Sequence, residues 1–195
     1  MSQTVASRAI FDPAKLVRPA IHHLPVYTRQ APPEHKPARE VRLDWNESPY
    51  PPSPRAVAAL RELATHNRYP EFDAWRLREA LGNYVGVPAE QIVAGAGLDN
   101  VIETLLFLLI EPGDRVIISE PTFMVYEVLV RAHGGEVVNV PLQSNFSLDV
   151  AGILDAVDDR TKLIVICNPN NPTGNLLAPE AVEHVVANAP CLVAI

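Results

Sequence analysis

The run Leu163-Ile164-Val165-Ile166 passes without a break into Cys167-Asn168-Pro169-Asn170-Asn171-Pro172-Thr173-Gly174-Asn175. A β-branched apolar run that stops at Asn, Pro and Gly reads as a buried parallel strand entering a loop. Residues before proline are kept out of the α region, so Asn168 and Asn171 are held extended or in turns. The loop is therefore stiff, and its stiffness fixes where the amides point. A carboxamide offers both donors and an acceptor, which suits it to hold a polar ligand at the carboxyl end of a strand. Turn chemistry alone would also select Asn here. The length of the pattern and its place after a strand favour the ligand.

The chain around this loop alternates. Strands are expected near 92–94, 115–119, 136–140, 162–167 and 191–195, with helices near 98–110, 122–132, 148–157 and 179–188. Glu111-Pro112-Gly113-Asp114 has the Pro-Gly centre of a type II turn. Helices between consecutive strands predict an α/β fold, mostly parallel, with helices on both faces of the sheet. Upstream, Ser53-Pro54 opens a helix with Ser as N-cap and an apolar stripe of Val57, Leu60, Leu63 and Ala64. A second helix, near 72–85, is expected to bury some of Trp75, Leu77, Leu81 and Tyr84 and to stop at Gly86. Residues 1–40 carry Pro13, Pro19, Pro25, Pro32, Pro33 and Pro37 and are expected to be irregular. The chain thus divides into an arm (1–40), a loop with helices (41–90) and an incomplete α/β domain (91–195).

Composition narrows the class. At 48% hydrophobic residues over 195, the chain can bury a sizeable core. A net charge of -7 with scattered Lys and Arg argues against a nucleic-acid partner. The two cysteines and the pair His22-His23 lack metal-ligand spacing, so no metal is expected. The longest apolar run, Leu105 to Ile110, is too short to span a bilayer. With no apolar leader in the first 20 residues, a cytoplasmic protein without membrane partners is expected.

Two further stretches carry chemistry by residue type. Gly95-Ala96-Gly97 turning into a helix presents unpaired backbone N–H groups and a positive dipole end to an anion. Phe123 offers a flat apolar face just past a strand, as a core residue or as a platform for a ring.

Taken together, the loop Asn168–Gly174, Asn46-Glu47-Ser48-Pro49-Tyr50, Arg68-Tyr69-Pro70, Gly95–Asn100 and Pro121-Thr122-Phe123-Met124-Val125-Tyr126 resemble, in order, the fold-type I aminotransferases that use pyridoxal 5′-phosphate (PLP). The doubled Asn is similar to the histidinol-phosphate aminotransferase branch. The resemblance implies the N-terminal portion of a homodimeric enzyme acting on a small amino or oxo acid. It also implies roles for particular residues. Gly97, Leu98 and Asp99 would hold the cofactor phosphate, Phe123 its ring and Asn171 its phenolic oxygen. Tyr69 would reach the phosphate of the neighbouring subunit, and Tyr27, Asn46 and Glu47 would face substrate. Leu98 and Asn100 stand where a small residue and Glu are usual.

The only lysines are Lys15, Lys36 and Lys162, two in the arm and one opening a strand. No catalytic residue is therefore assigned. The Schiff-base lysine and the acid for the pyridine nitrogen are expected beyond Ile195, and the 195 residues alone are expected to be inactive. Rival readings are another PLP enzyme on the same scaffold, either an aromatic aminotransferase or a decarboxylase, or a catalytically dead binding module. A nucleotide-binding domain is disfavoured by the absence of Gly-x-x-x-x-Gly-Lys.

Overall fold

The computed structural model describes residues 16–24, 41, 46–65 and 67–195. The chain forms two units, Met1–Val26 with Gly95–Ile195, and Tyr27–Ala94.

In the first unit, four strands form one parallel sheet: β1 (Arg115–Ile118), β2 (Glu136–Asn139), β3 (Thr161–Val165) and β4 (Leu192–Ala194). Their order is β2-β1-β3-β4. The connecting helices are α5 (Val125–His133), α6 (Val150–Asp155) and α7 (Pro179–Asn188), and α4 (Leu98–Leu109) precedes β1. Pleat alternation sorts the side chains. Val116, Ile118 and Leu163 face Leu106, Tyr126 and Val130 on the α4/α5 side. Ile117 and Ile164 face Ile153, Val182 and Val185 on the α6/α7 side. Both faces are apolar because both are covered, so the strands read as continuous hydrophobic runs. The expected turn before β1 forms, with Gly113 at φ 95° and the Asp114 N–H donating to the Glu111 carbonyl over 3.0 Å.

The expected strand at 92–94 does not form. Ile92 is extended (φ −105°, ψ 128°), but a strand needs a ladder partner, and none pairs with it among the described residues. Part of the N-terminal arm is ordered, against the expectation of an irregular segment. Pro19–His22 forms a short helix, α1, and Arg18 Nη2 donates to the Ala132 carbonyl at the end of α5 over 2.9 Å. That bond and the packing of α1 on α5 hold a segment that has no core of its own. No helix among the described residues is long and apolar enough to cross a membrane.

The second unit holds α2 (Pro54–Glu62), α3 (Trp75–Val85) and a 3-10 turn, Ala89–Gln91. Ser53 occupies the N-cap position of α2, but its hydroxyl makes no capping bond. Of the four residues some of which were expected to be buried, only Leu81 is half-buried; Trp75, Leu77 and Tyr84 are exposed, and so are Leu60 and Leu63. Two helices and one turn offer too little surface to cover two apolar stripes. The organising residue is instead Arg78. Its Nε donates to the Ile92 carbonyl over 2.9 Å and its Nη2 to the Ala89 carbonyl over 2.9 Å, and its guanidinium lies 5.5 Å from the Trp75 ring. Arg78→Leu should destabilise this unit by about 1.5–3 kcal/mol, the scale of charge-assisted hydrogen bonds lost to part-buried carbonyls. Faster amide exchange at Gln91 and Ile92 would show it. Unchanged protection there would mean that Arg78 does not fasten the turn.

Candidate cofactor site

The carboxyl ends of β1, β2 and β3 feed three loops of the first unit, and buried carboxamides tie those loops together. Asn170, only 4% exposed, is the hub. Its Nδ2 donates to the Pro121 carbonyl (2.9 Å) and to Thr173 Oγ1 (2.6 Å). Its Oδ1 accepts from Thr122 Oγ1 over 3.0 Å. Thr173 in turn donates to Asn175 Oδ1, and Asn175 Nδ2 donates to the Phe146 carbonyl over 3.0 Å. The loop also closes on itself. Asn170 N–H donates to the Asn175 carbonyl, Gly174 N–H donates to the Asn170 carbonyl, and Asn168 Oδ1 accepts from Leu177 N–H. Three of the loop's four Asn side chains are thus engaged inside the fold. The fourth, Asn171, is half-buried and makes no side-chain hydrogen bond among the described residues.

Phe123 follows Thr122 directly, as Asn171 follows Asn170. The Thr122–Asn170 bond therefore sets two expected cofactor contacts one residue along on adjoining loops. Phe123 lies edge-on to Tyr126, ring centroids 5.8 Å apart at 88°, which fixes the plane of its ring. Upstream, Glu120 and Asn139 hold the same loop reciprocally, Glu120 N–H to Asn139 Oδ1 (3.0 Å) and Asn139 Nδ2 to Glu120 Oε2 (2.6 Å).

The N-cap of α4 is Gly97 with φ 88° and ψ 172°, a conformation essentially reserved for glycine, and no side chain caps the first turn of the helix. Asn100 turns back instead, its Oδ1 accepting from Ala96 N–H over 3.1 Å. The first N–H groups of α4 are thus left for an outside acceptor. A cavity of about 230 Å³ runs along the α4/α5 face and is walled by Leu98, Tyr126 and the start of the loop after β3, Cys167-Asn168-Pro169. Of the expected cofactor contacts only Leu98 lies on its wall. Phe123 touches that wall through Tyr126, and Asn171 sits two residues beyond Pro169. Burial pushes the Tyr126 hydroxyl well above the ordinary tyrosine range. The neighbouring Cys167 thiol adds to this, and so does the charge of Asp99. The phenol therefore stays neutral and keeps its proton as a donor.

The remaining expected contacts belong to the second unit or fall outside the described residues. Tyr69 (100% exposed), Asn46 and Glu47 belong to the second unit, and Asn46 takes a left-handed conformation at φ 51°. Tyr27 lies outside the described residues. Lys162 opens β3 at the amino ends of the strands, with its Nζ 3.8 Å from Asp114 Oδ1. At that same end Arg115 and Thr161 grip Asp158. Partial burial raises its carboxyl, but their hydrogen bonds outweigh this and hold it below the usual carboxylate range.

Reading the sequence alone missed Asn170, Thr122 and Tyr126. Tyr126 follows Phe123 by three, the spacing of neighbours on a helix face, and that was the available signal. Asn170 differs from Asn171 only in which way its side chain faces, and the sequence does not carry that distinction.

The sequence model of the family aminotransferase class I and II matches residues 38–194. A histidinol-phosphate aminotransferase of Methanosarcina mazei is 46% identical over 160 residues, covering 81% of this chain and 44% of its own. One of Roseiflexus castenholzii is 40% identical over 193 residues, covering 92% of this chain and 52% of its own. Among solved structures, the histidinol-phosphate aminotransferase of Sinorhizobium meliloti in complex with pyridoxal-5′-phosphate superposes with a TM-score of 0.71 at 29% identity, over 76% of this chain and 41% of that one. The chain spans about half the length of the curated relatives it matches.

Proposed function

We propose that this chain, which belongs to the class I and II aminotransferase family, is the N-terminal, cofactor-holding part of a histidinol-phosphate aminotransferase. The observation that carries the proposal is the unengaged carboxamide of Asn171 in a loop whose other Asn side chains are all committed to the fold.

The residues present fit PLP. Its phosphate matches the uncapped first turn of α4, where Gly97, Leu98 and Asp99 bring backbone N–H groups and the dipole end. Its ring matches the fixed face of Phe123. Its phenolic oxygen matches Asn171 Nδ2, and a donor there favours the ionised oxygen. Bound in this way, PLP would supply an aldehyde that takes up the amino group and an electron-withdrawing ring that stabilises negative charge on the substrate carbon. This part of the chain binds and orients. Lys162, at the opposite end of β3 and beside Asp114, is too far from those loops to supply the amine.

The proposed reaction is amino transfer from glutamate to imidazole acetol phosphate, giving histidinol phosphate in a cytoplasmic biosynthetic step. Tyr27, Asn46 and Glu47 are proposed substrate contacts. Tyr69 is proposed to act across a homodimer interface, and its full exposure leaves its hydroxyl available to a partner. The test is glutamate-dependent turnover of imidazole acetol phosphate by the full-length protein with PLP. Transfer to that acceptor at least about tenfold more efficient, in kcat/KM, than to aromatic oxo acids is expected, since groups built to pair with a polar substrate reject one that lacks it. A preference for the aromatic acceptor would overturn the substrate, and no transfer to any oxo acid would overturn the activity.

A further inference from the structure

The chain Thr122 Oγ1 to Asn170, Asn170 Nδ2 to Thr173 Oγ1, Thr173 to Asn175 and Asn175 Nδ2 to the Phe146 carbonyl runs in one direction. Each member passes on the donor role that it receives. It crosses from the loop after β1 to the loop after β3 and on to the loop after β2. Asn170 joins two of these loops with its side chain, as Asn175 does at the far end, and among the described residues it is the only buried asparagine. Such a network needs both faces of an amide at its hub. An alanine supplies neither, and a carboxylate would set an acceptor against the Pro121 carbonyl.

We propose that Asn170 is the positioning residue of the cofactor site. Its carboxamide locks the loop bearing Phe123 to the loop bearing Asn171 and so sets the donor of Asn171 against the face of Phe123. The proposal rests on the assignment of those two residues to the cofactor. Asn170 does not touch the cofactor, since its four side-chain hydrogen-bonding directions are largely taken by Pro121, Thr173 and Thr122. Its influence passes through the backbone to its neighbour. The polarity of the chain adds to this, because removing Asn170 leaves the Thr122 hydroxyl without its acceptor and Thr173 without its donor inside a part-buried corner.

The test uses the full-length protein, freed of cofactor and loaded with pyridoxine 5′-phosphate, which has the ring, phosphate and phenol of PLP and needs no lysine. The readout is the ultraviolet titration of the bound 3-hydroxyl. A well-aimed Asn171 favours the ionised form and holds the midpoint down. Asn171→Ala should therefore raise the midpoint by about one pH unit, the scale of a hydrogen bond to a charged group. Asn170→Ala should raise it by a similar amount, and the double variant no further, because both act through one contact. Thr122→Val, nearly isosteric, should move it part of the way and guards against an Asn170 variant that fails to fold. A general loosening would lower the melting temperature without moving this midpoint. If Asn171→Ala shifts the midpoint while Asn170→Ala and Thr122→Val do not, the positioning role is refuted and the site assignment stands. If Asn171→Ala shifts nothing, or the unmodified protein does not bind the probe, the site assignment fails and the positioning role fails with it.

Discussion

Gly97→Val should weaken binding of pyridoxine 5′-phosphate to the full-length protein by about 10- to 100-fold while the sheet stays intact. A Cβ at Gly97 would meet nothing within 4 Å, so the added side chain starts in open space. The cost lies in the backbone. At φ 88° and ψ 172° the residue sits in a region that side-chain-bearing residues avoid at about 1–3 kcal/mol. The chain escapes that cost by rotating the peptide that leads into α4. Rotation re-aims the first N–H groups of the helix, and those groups are what an incoming phosphate meets. Each 1.4 kcal/mol lost is about tenfold in affinity. Gly86→Val is the control. It has φ 82° and also meets nothing within 4 Å, but it closes α3 in the second unit. It should lower stability to a similar degree and leave affinity unchanged. Equal affinities for the Gly97 variant and the unmodified protein would mean that the start of α4 does not hold the phosphate.

The β1 to β4 segments and their helices could be read from the sequence because the information is local. Each strand carries a short apolar run, and β1, β2 and β3 run into Pro121, Pro141 and Asn168. What failed was non-local. Ile92-Val93-Ala94 has strand composition and takes an extended conformation, but a ladder requires a second chain segment that composition cannot supply. Trp75 and Tyr84 have core composition and lie exposed, because burial depends on what is available to cover them. Arg78 is the reverse case, a charged residue whose chain contacts organise a unit, and nothing in its local sequence marks it. The site divides along the same line. Gly97, Phe123 and Asn171 stand out by residue type and by resemblance. Asn170 became visible only once its carboxamide could be seen turned inward between two loops.

Ile164→Ala should cost about 2–5 kcal/mol of unfolding free energy, among the largest effects of any single change in the sheet. Ile164 is 1% exposed and sits in β3, an interior strand of the sheet, pairing with Ile117 on one side and Val193 on the other. Its side chain belongs to the cluster with Ile153, Val182 and Val185, contributed by α6 and α7. Removing three carbons there forfeits their transfer from water and leaves a void that two helices and a sheet cannot collapse to fill. Ile164→Val removes a single methylene and should cost only about 0.5–1.5 kcal/mol. Leu192→Ala supplies the contrast. Leu192 lies in β4, at the end of the strand order, and is 48% exposed, so truncation removes side-chain surface that is only half out of water. Its cost should fall below that of the Ile164 truncation. Urea unfolding followed by circular dichroism gives all three values, with an unchanged denaturant slope confirming that the loss lies in the folded state. A cost for Ile164→Ala no larger than that for Leu192→Ala would show that the α6/α7 face is not the tightly packed core described here. It would also remove the reason why the loop three residues downstream of Ile164 can hold its carboxamides in fixed directions.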